Sequence, residues 1–154
     1  EIYLGYGNLQ GTLPTALGSL TSLNYLYLYY NSLTGTIPSE LGKLSSLYYL
    51  YLNSNKLSGT IPTELGSMSQ LYTLDLNTNS LTGVVPSSLC QPWYLTTLHL
   101  YNNPLQCYAS CLSSKYYFYA GSISSCSGSP TFSPVQSPTS AFTTGIINRN
   151  TIYY

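Results

Sequence analysis

Charge is what this chain has least of. Four Lys/Arg and four Asp/Glu among 154 residues make 5% charged side chains and a net charge of zero, where an ordinary domain carries ~25%. A basic footprint for nucleic acid or for an acidic membrane is thereby excluded. Histidine, methionine and tryptophan occur once each. No apolar run approaches the ~18–20 residues that a bilayer span needs. No Asn-x-Ser/Thr acceptor with an allowed middle residue occurs, so N-linked sugar is not expected. There is no Gly-rich phosphate loop and no metal-ligand spacing, and no cofactor is expected. With no initiator methionine and no leader, the chain reads as a processed or partial product. Solubility then falls to hydroxyl and amide groups. Tyrosine, by contrast, is abundant, with 18 residues.

Self-similarity at 24 residues organises everything up to about residue 112. One column holds Leu4, Leu28, Leu52, Leu76 and Leu100; others hold Leu26, Leu50, Leu74 and Leu98, and Leu23, Leu47, Leu71 and Leu95. A fourth holds Leu9, Leu33, Leu57, Leu81 and Leu105. Asn31, Asn55, Asn79 and Asn103 recur, with Gly11, Gly35, Gly59 and Gly83, and Pro14, Pro38, Pro62 and Pro86 three residues later. Alternating leucines at the centre of each unit predict a strand of period two with one face inward. One such turn cannot bury its own apolar face, so turns must stack and share a core. Asn at the bend can satisfy backbone groups that leucine could not. Gly admits a backbone conformation closed to other residues, and Pro fixes φ on the far side. The expectation is a right-handed solenoid with five parallel strands near 2–4, 26–28, 50–52, 74–76 and 98–100, the leucine columns buried, and Met68 continuing the column of Leu20 and Leu44.

The run LTGTIPSELGKLSSLYYLYLNSNKLSGTIPTELGSMSQL resembles the extracellular leucine-rich repeats of plant receptor kinases and related protist surface proteins. The resemblance covers residues 1 to about 112, and its LxGxIPxxLGxL motif is specific. It implies a leucine-rich-repeat solenoid: a parallel β-sheet on the concave face, irregular or 3-10 turns on the convex face, and ligand contact on the concave side. Three departures stand out. Gly7 takes the place of the recurring Asn, the fifth turn carries Cys107 at the Gly position, and the paired-cysteine N-terminal cap of plant receptors is absent.

All four cysteines, Cys90, Cys107, Cys111 and Cys126, cluster where the repeats end. They read as a disulfide-sealed cap formed in an oxidising compartment. Three pairings are possible. In the repeat frame Cys111 falls three positions short of the residue under Cys90, which slightly favours Cys90–Cys111 and Cys107–Cys126. The domain reading is repeats over 1–106, a cysteine-containing cap over 107–126, a linker over 127–145 and a strand-like segment over 146–154. The linker is dominated by Ser, Thr and Pro and has no core-forming period. It reads as an O-glycosylated stalk with Ser129, Thr131, Ser133, Ser137 and Thr139 as acceptors, against the plainer reading of an unmodified tether.

Between the leucines, outward strand positions and their flanks carry Tyr3, Tyr25, Tyr27, Tyr29, Tyr30, Tyr48, Tyr49, Tyr51, Tyr72 and Tyr101, with Tyr6 at the edge. Tyrosine offers a large apolar face and a hydroxyl at low entropy cost, so these residues are candidate ligand contacts. The bland alternative is that they stack on one another and simply cover the sheet. Asp75 and His99 share one exposed column and could touch. Nearby hydroxyls, Thr73, Thr97 and Ser54, sit on no strained turn and beside no oxyanion motif, so catalysis is not expected. Two readings follow for a secreted or cell-surface, non-enzymatic protein. The first is a structural glycoprotein that binds copies of itself, its terminal segment docking on the open first turn of the next chain to build a filament. The alternative is a recognition ectodomain that takes a peptide or glycan on its tyrosine face.

Overall fold

The computed structural model describes residues 1–115 and 117–126. The linker, the terminal strand-like segment and the glycosylation candidates Ser129, Thr131, Ser133, Ser137 and Thr139 lie outside the described residues. Within them, the chain coils into a solenoid with one parallel sheet of six strands. In order these are Ile2–Tyr3, Tyr25–Tyr27, Tyr49–Tyr51, Thr73–Asp75, Thr97–His99 and Tyr117–Tyr119. Each strand pairs in register with its repeat equivalent, Leu26 with Leu50, Leu50 with Leu74 and Leu74 with Leu98.

Two details differ from the sequence expectation. The second to fifth strands begin one residue earlier, while the first begins at Ile2 as expected, and a sixth strand exists. Tyr117–Tyr119 pairs with Thr97–His99 at an offset of 20 residues, Thr97 facing Tyr117. A strict 24-residue template passes over it. The cap is therefore a shortened last turn of the same sheet.

On the opposite side the chain runs through 3-10 helices at Thr15–Ser19, Ser39–Lys43, Thr63–Ser67, Ser87–Cys90 and Ser110–Ser114. The first four follow Pro14, Pro38, Pro62 and Pro86, whose φ values of −72, −67, −63 and −66° are those the pyrrolidine ring imposes. The glycines ahead of those prolines adopt left-handed φ, +75° at Gly35 and Gly59, where a side chain would be strained.

The leucine columns form one continuous core from Leu13 to Leu112, with Met68 fully buried among them. The first turn departs from this. Leu4 and Leu20 are 46% and 43% exposed because no turn of the described chain stacks below them. Leu9 and Leu17 pack against the core only partly.

The asparagine column knits successive turns together. The side-chain oxygen of Asn55 accepts the Leu33 N–H at 3.0 Å, and its nitrogen donates to the Leu28 carbonyl at 2.9 Å, both in the turn before. It also donates to Leu52 in its own turn. Asn31, Asn79 and Asn103 repeat the pattern. Gly7 holds the equivalent place in the first turn, where the described chain offers no earlier turn to bridge.

A second glycine column explains where the first disulfide sits. A Cβ on Gly66 would lie 2.5 Å from the Ser88 carbonyl oxygen of the next turn. Cys90 stands one repeat further along the same column, so its side chain is aimed at the next turn, where it is bonded to Cys111. Cys107, in the left-handed glycine column, is bonded to Cys126 with their Cα atoms 5.1 Å apart.

Candidate functional site

Alternation along each strand sends two residues outward per turn. One outward column reads Tyr25, Tyr49, Thr73, Thr97, Tyr117; the other reads Tyr3, Tyr27, Tyr51, Asp75, His99, Tyr119. Parallel strands stand ~4.8 Å apart, close to the contact distance of stacked rings, so in-register tyrosines must meet. Tyr3 stacks on Tyr27 with ring centres 4.7 Å apart, Tyr27 meets Tyr51 at 5.0 Å, and Tyr25 stacks on Tyr49 at 5.4 Å. Tyr72 closes edge-on against Tyr49, and Tyr48 reaches Tyr25.

Beyond the strands the pavement continues. Tyr29 lies over Gly5, where an added Cβ would come within 2.9 Å of three of its ring atoms. Tyr6 and Tyr30 stack at 4.7 Å with planes 6° apart. They belong to a column of left-handed residues, Tyr6, Tyr30, Ser54, Thr78 and Asn102, with φ of 50 to 56°. Ser54 thus does lie on strained backbone, contrary to the sequence expectation. Most of the expected tyrosines therefore form one sheet of mutually packed rings. Tyr25, Tyr27, Tyr29, Tyr49 and Tyr51 are half-buried by their neighbours, while Tyr3, Tyr30, Tyr48 and Tyr72 are exposed. Tyr101 stands apart and packs near His99 instead.

The fourth and fifth strands break the pavement with a polar notch. Asp75 is not exposed as expected; Tyr51, Asn77 and His99 surround it and leave it 6% accessible. Its Oδ1 accepts the Asn77 backbone N–H at 3.2 Å and the Asn77 side-chain amide. Its Oδ2 lies 3.2 Å from Nδ1 of His99. That contact orients the imidazole, whose ring sits 5.1 Å from Tyr119. The Asn53 side-chain oxygen is buried with no donor from the described protein. Thr73 is buried, and no hydroxyl among the described residues hydrogen-bonds His99. The pair can hold a ligand group, but nothing beside it is placed as a nucleophile.

Burial pushes the Tyr27 phenol up to about 12, helped by the neighbouring phenols of Tyr3 and Tyr51. Tyr51 is raised by burial and by Asp75, against a hydrogen bond from Thr73, and Tyr3 by burial and by Glu1. Tyr3, Tyr27 and Tyr51 therefore keep their phenolic hydrogens, available for donation, through the neutral range.

Tyr117 and Tyr119 extend the face past the notch, and no reading of the 24-residue columns could find them. Trp93, 94% exposed, was missed as well; it borders a shallow cavity of about 650 Å³ shared with Gln91, Thr96, Ser114 and Lys115. A second trough, about 860 Å³ and rich in threonine, runs along Thr12, Thr36 and Thr60. Both lie off the six-stranded sheet.

A profile described as leucine rich repeat matches residues 1–57, and another of the same description matches residues 70–92. Among solved structures, the BIR3–SERK2 complex from Arabidopsis thaliana is 33% identical, covering 83% of this chain and 73% of that one at a TM-score of 0.73. The chain belongs to the plant-type leucine-rich-repeat family. The plant peptide hormone receptor RGFR1 in complex with RGF2 is 34% identical with a TM-score of 0.70, and PEPR1-AtPEP1 is 44% identical with a TM-score of 0.63. These two matches cover 74% and 64% of this leucine-rich-repeat chain but only 19% and 14% of those proteins. A comparison with curated protein sequences finds no match. The repeat solenoid and its parallel sheet are thus shared with solved leucine-rich-repeat ectodomains such as those of SOBIR1 and BIR2 from Arabidopsis thaliana.

Proposed function

We propose that this leucine-rich-repeat chain is a recognition module that captures an extended peptide on its concave face, outside the cell. The observation that carries the reading is the continuous tyrosine pavement interrupted once, at Asp75 and His99. Packed phenols present broad, rigid apolar area with hydroxyls attached, at little entropy cost on binding. The notch breaks the run of phenols with a carboxylate and an imidazole 3.2 Å apart, and this polar point gives a bound chain its register. Similar structures include a plant peptide hormone receptor in complex with RGF2, which supports a peptide as the class of ligand. Two disulfides suit an oxidising, extracellular setting.

Selection from a displayed library of linear peptides tests this. Enriched peptides are expected to lose roughly tenfold or more in affinity to Tyr49→Ala or Tyr51→Ala, the size of an interface hot spot. They should be indifferent to Thr36→Ala in the opposite trough. A library that yields no binder, or binders lost only with trough variants, contradicts the proposal.

A second reading, association of copies, is favoured by the exposed Leu4 and Leu20 on the first turn. Light scattering at high concentration tests it, and a strict monomer argues against it. The proposed sugars on Ser129, Thr131, Ser133, Ser137 and Thr139 are tested by the mass of native material before and after O-deglycosylation.

A further inference from the structure

We propose that the tyrosine rows are also a site of oxidative cross-linking within the chain, with Tyr6 and Tyr30 joined ring to ring by a one-electron phenol oxidant. This is independent of ligand capture and would hold if the recognition reading failed.

The inventory of oxidisable side chains directs the chemistry to phenols. All four cysteines are in disulfides, and the single methionine, Met68, is fully buried. Among the described residues, what a one-electron phenol oxidant can reach is tyrosine and Trp93. Among the tyrosines, reactivity between two rings requires closeness, matching orientation and exposure together. Tyr6 and Tyr30 have all three. Their ring centres are 4.7 Å apart with planes 6° apart, and they are 67% and 51% exposed. Their left-handed backbones, with φ of 56 and 50°, send both side chains out in the same direction. With the two rings stacked and nearly parallel, side-chain rotation can bring a carbon beside the hydroxyl of one phenol to its counterpart on the other.

Phenoxyl coupling uses those carbons. Each phenol gives up one hydrogen atom, its electron going to the oxidant and its proton to water. The two radicals then form one carbon–carbon bond between the positions ortho to oxygen, and each ring regains aromaticity by moving its ortho hydrogen back to the oxygen. Hydrogen peroxide acting through a haem peroxidase balances the step: one peroxide accepts both hydrogen atoms and leaves as two waters. Tyr3 and Tyr27 are as close, but Tyr27 is half-buried and held between Tyr3 and Tyr51, so it has less freedom to swing into the linked geometry. The bond would tie the first turn to the second, as Cys90–Cys111 and Cys107–Cys126 tie the last turns together.

The test treats the dilute, folded chain with peroxidase and hydrogen peroxide. The expected product is a monomer lighter by two hydrogen atoms, with dityrosine fluorescence and a digest containing a Tyr6–Tyr30 linked peptide. Tyr6→Phe and Tyr30→Phe keep the packed rings and should each remove that peptide, whereas Tyr94→Phe should leave its yield unchanged. Circular dichroism of each variant checks that the fold is intact. Products that are dimers only, oxidation confined to Trp93, or linked-peptide yields unmoved by Tyr6→Phe would each overturn the proposal.

Discussion

The side-chain nitrogen of Asn79 donates to the Leu52 carbonyl of the preceding turn at 3.0 Å, while its oxygen accepts the Leu57 N–H of that same turn at 3.0 Å. One amide thus closes both a donor and an acceptor that stacking would otherwise leave bare. Asn79→Leu adds apolar area yet strands these backbone groups. Each buried group left without a partner costs about 1–3 kcal/mol, so Asn79→Leu and Asn79→Ala should both destabilise by at least about 2 kcal/mol. Urea unfolding checks this, as a lower midpoint with an unchanged slope.

Two glycines should respond differently to alanine. Gly66 faces the Ser88 carbonyl at 2.5 Å from a would-be Cβ, and forcing turns apart costs about 1–3 kcal/mol. Gly11 has open space around it but a φ of +88°, so Gly11→Ala should cost about 1 kcal/mol through backbone strain alone. Thermal unfolding of the pair should rank Gly66→Ala as the more damaging. The reverse order would mean that turn spacing is softer than the packing shows.

Much of this was legible in the sequence because stacking copies each turn onto the next. The leucine, asparagine, glycine and proline columns each carry one physical demand per repeat, and period alone exposes them. Strand Tyr117–Tyr119 was not legible, since its partner Thr97 lies 20 residues earlier and the period fails there. The column Gly18, Gly42, Gly66, Cys90 was open to the same arithmetic; its meaning became visible only with the inter-turn distance. Outward tyrosines were identifiable, but not their mutual burial, which depends on ring orientation. For the same reason the burial of Asp75 under Tyr51, Asn77 and His99 could not be read from its column.

Alkali should weaken the fold before it breaks covalent chemistry. The unfolded Tyr27 phenol ionises near 10, whereas in the folded chain it holds its proton up to about 12. Between those values the unfolded state has shed a proton that the folded state retains, so stability is full below pH ~10 and falls as pH rises towards 12. Tyr3 and Tyr51 shift in the same direction. Melting temperature against pH, with phenolate absorbance alongside, should show this slope, and Tyr27→Phe should flatten it.

Removing the Cys90–Cys111 bridge by the double substitution to alanine should loosen the last turns first, because the end of a stack has one neighbour. A lost disulfide costs about 2–4 kcal/mol. Amide exchange is expected to rise at Tyr117–Tyr119 and Thr97–His99 while Tyr49–Tyr51 keeps its protection. Uniform loss along the sheet would indicate that the solenoid unfolds as one unit.

The proposed recognition face is tested most directly by hydroxyl-radical footprinting of the chain with and without a library-selected peptide. Protection is predicted at Tyr49, Tyr51, Tyr72 and His99, with Trp93 and Tyr94 labelled equally in both states. Protection at Trp93 and Tyr94, with the sheet tyrosines unchanged, would contradict the account.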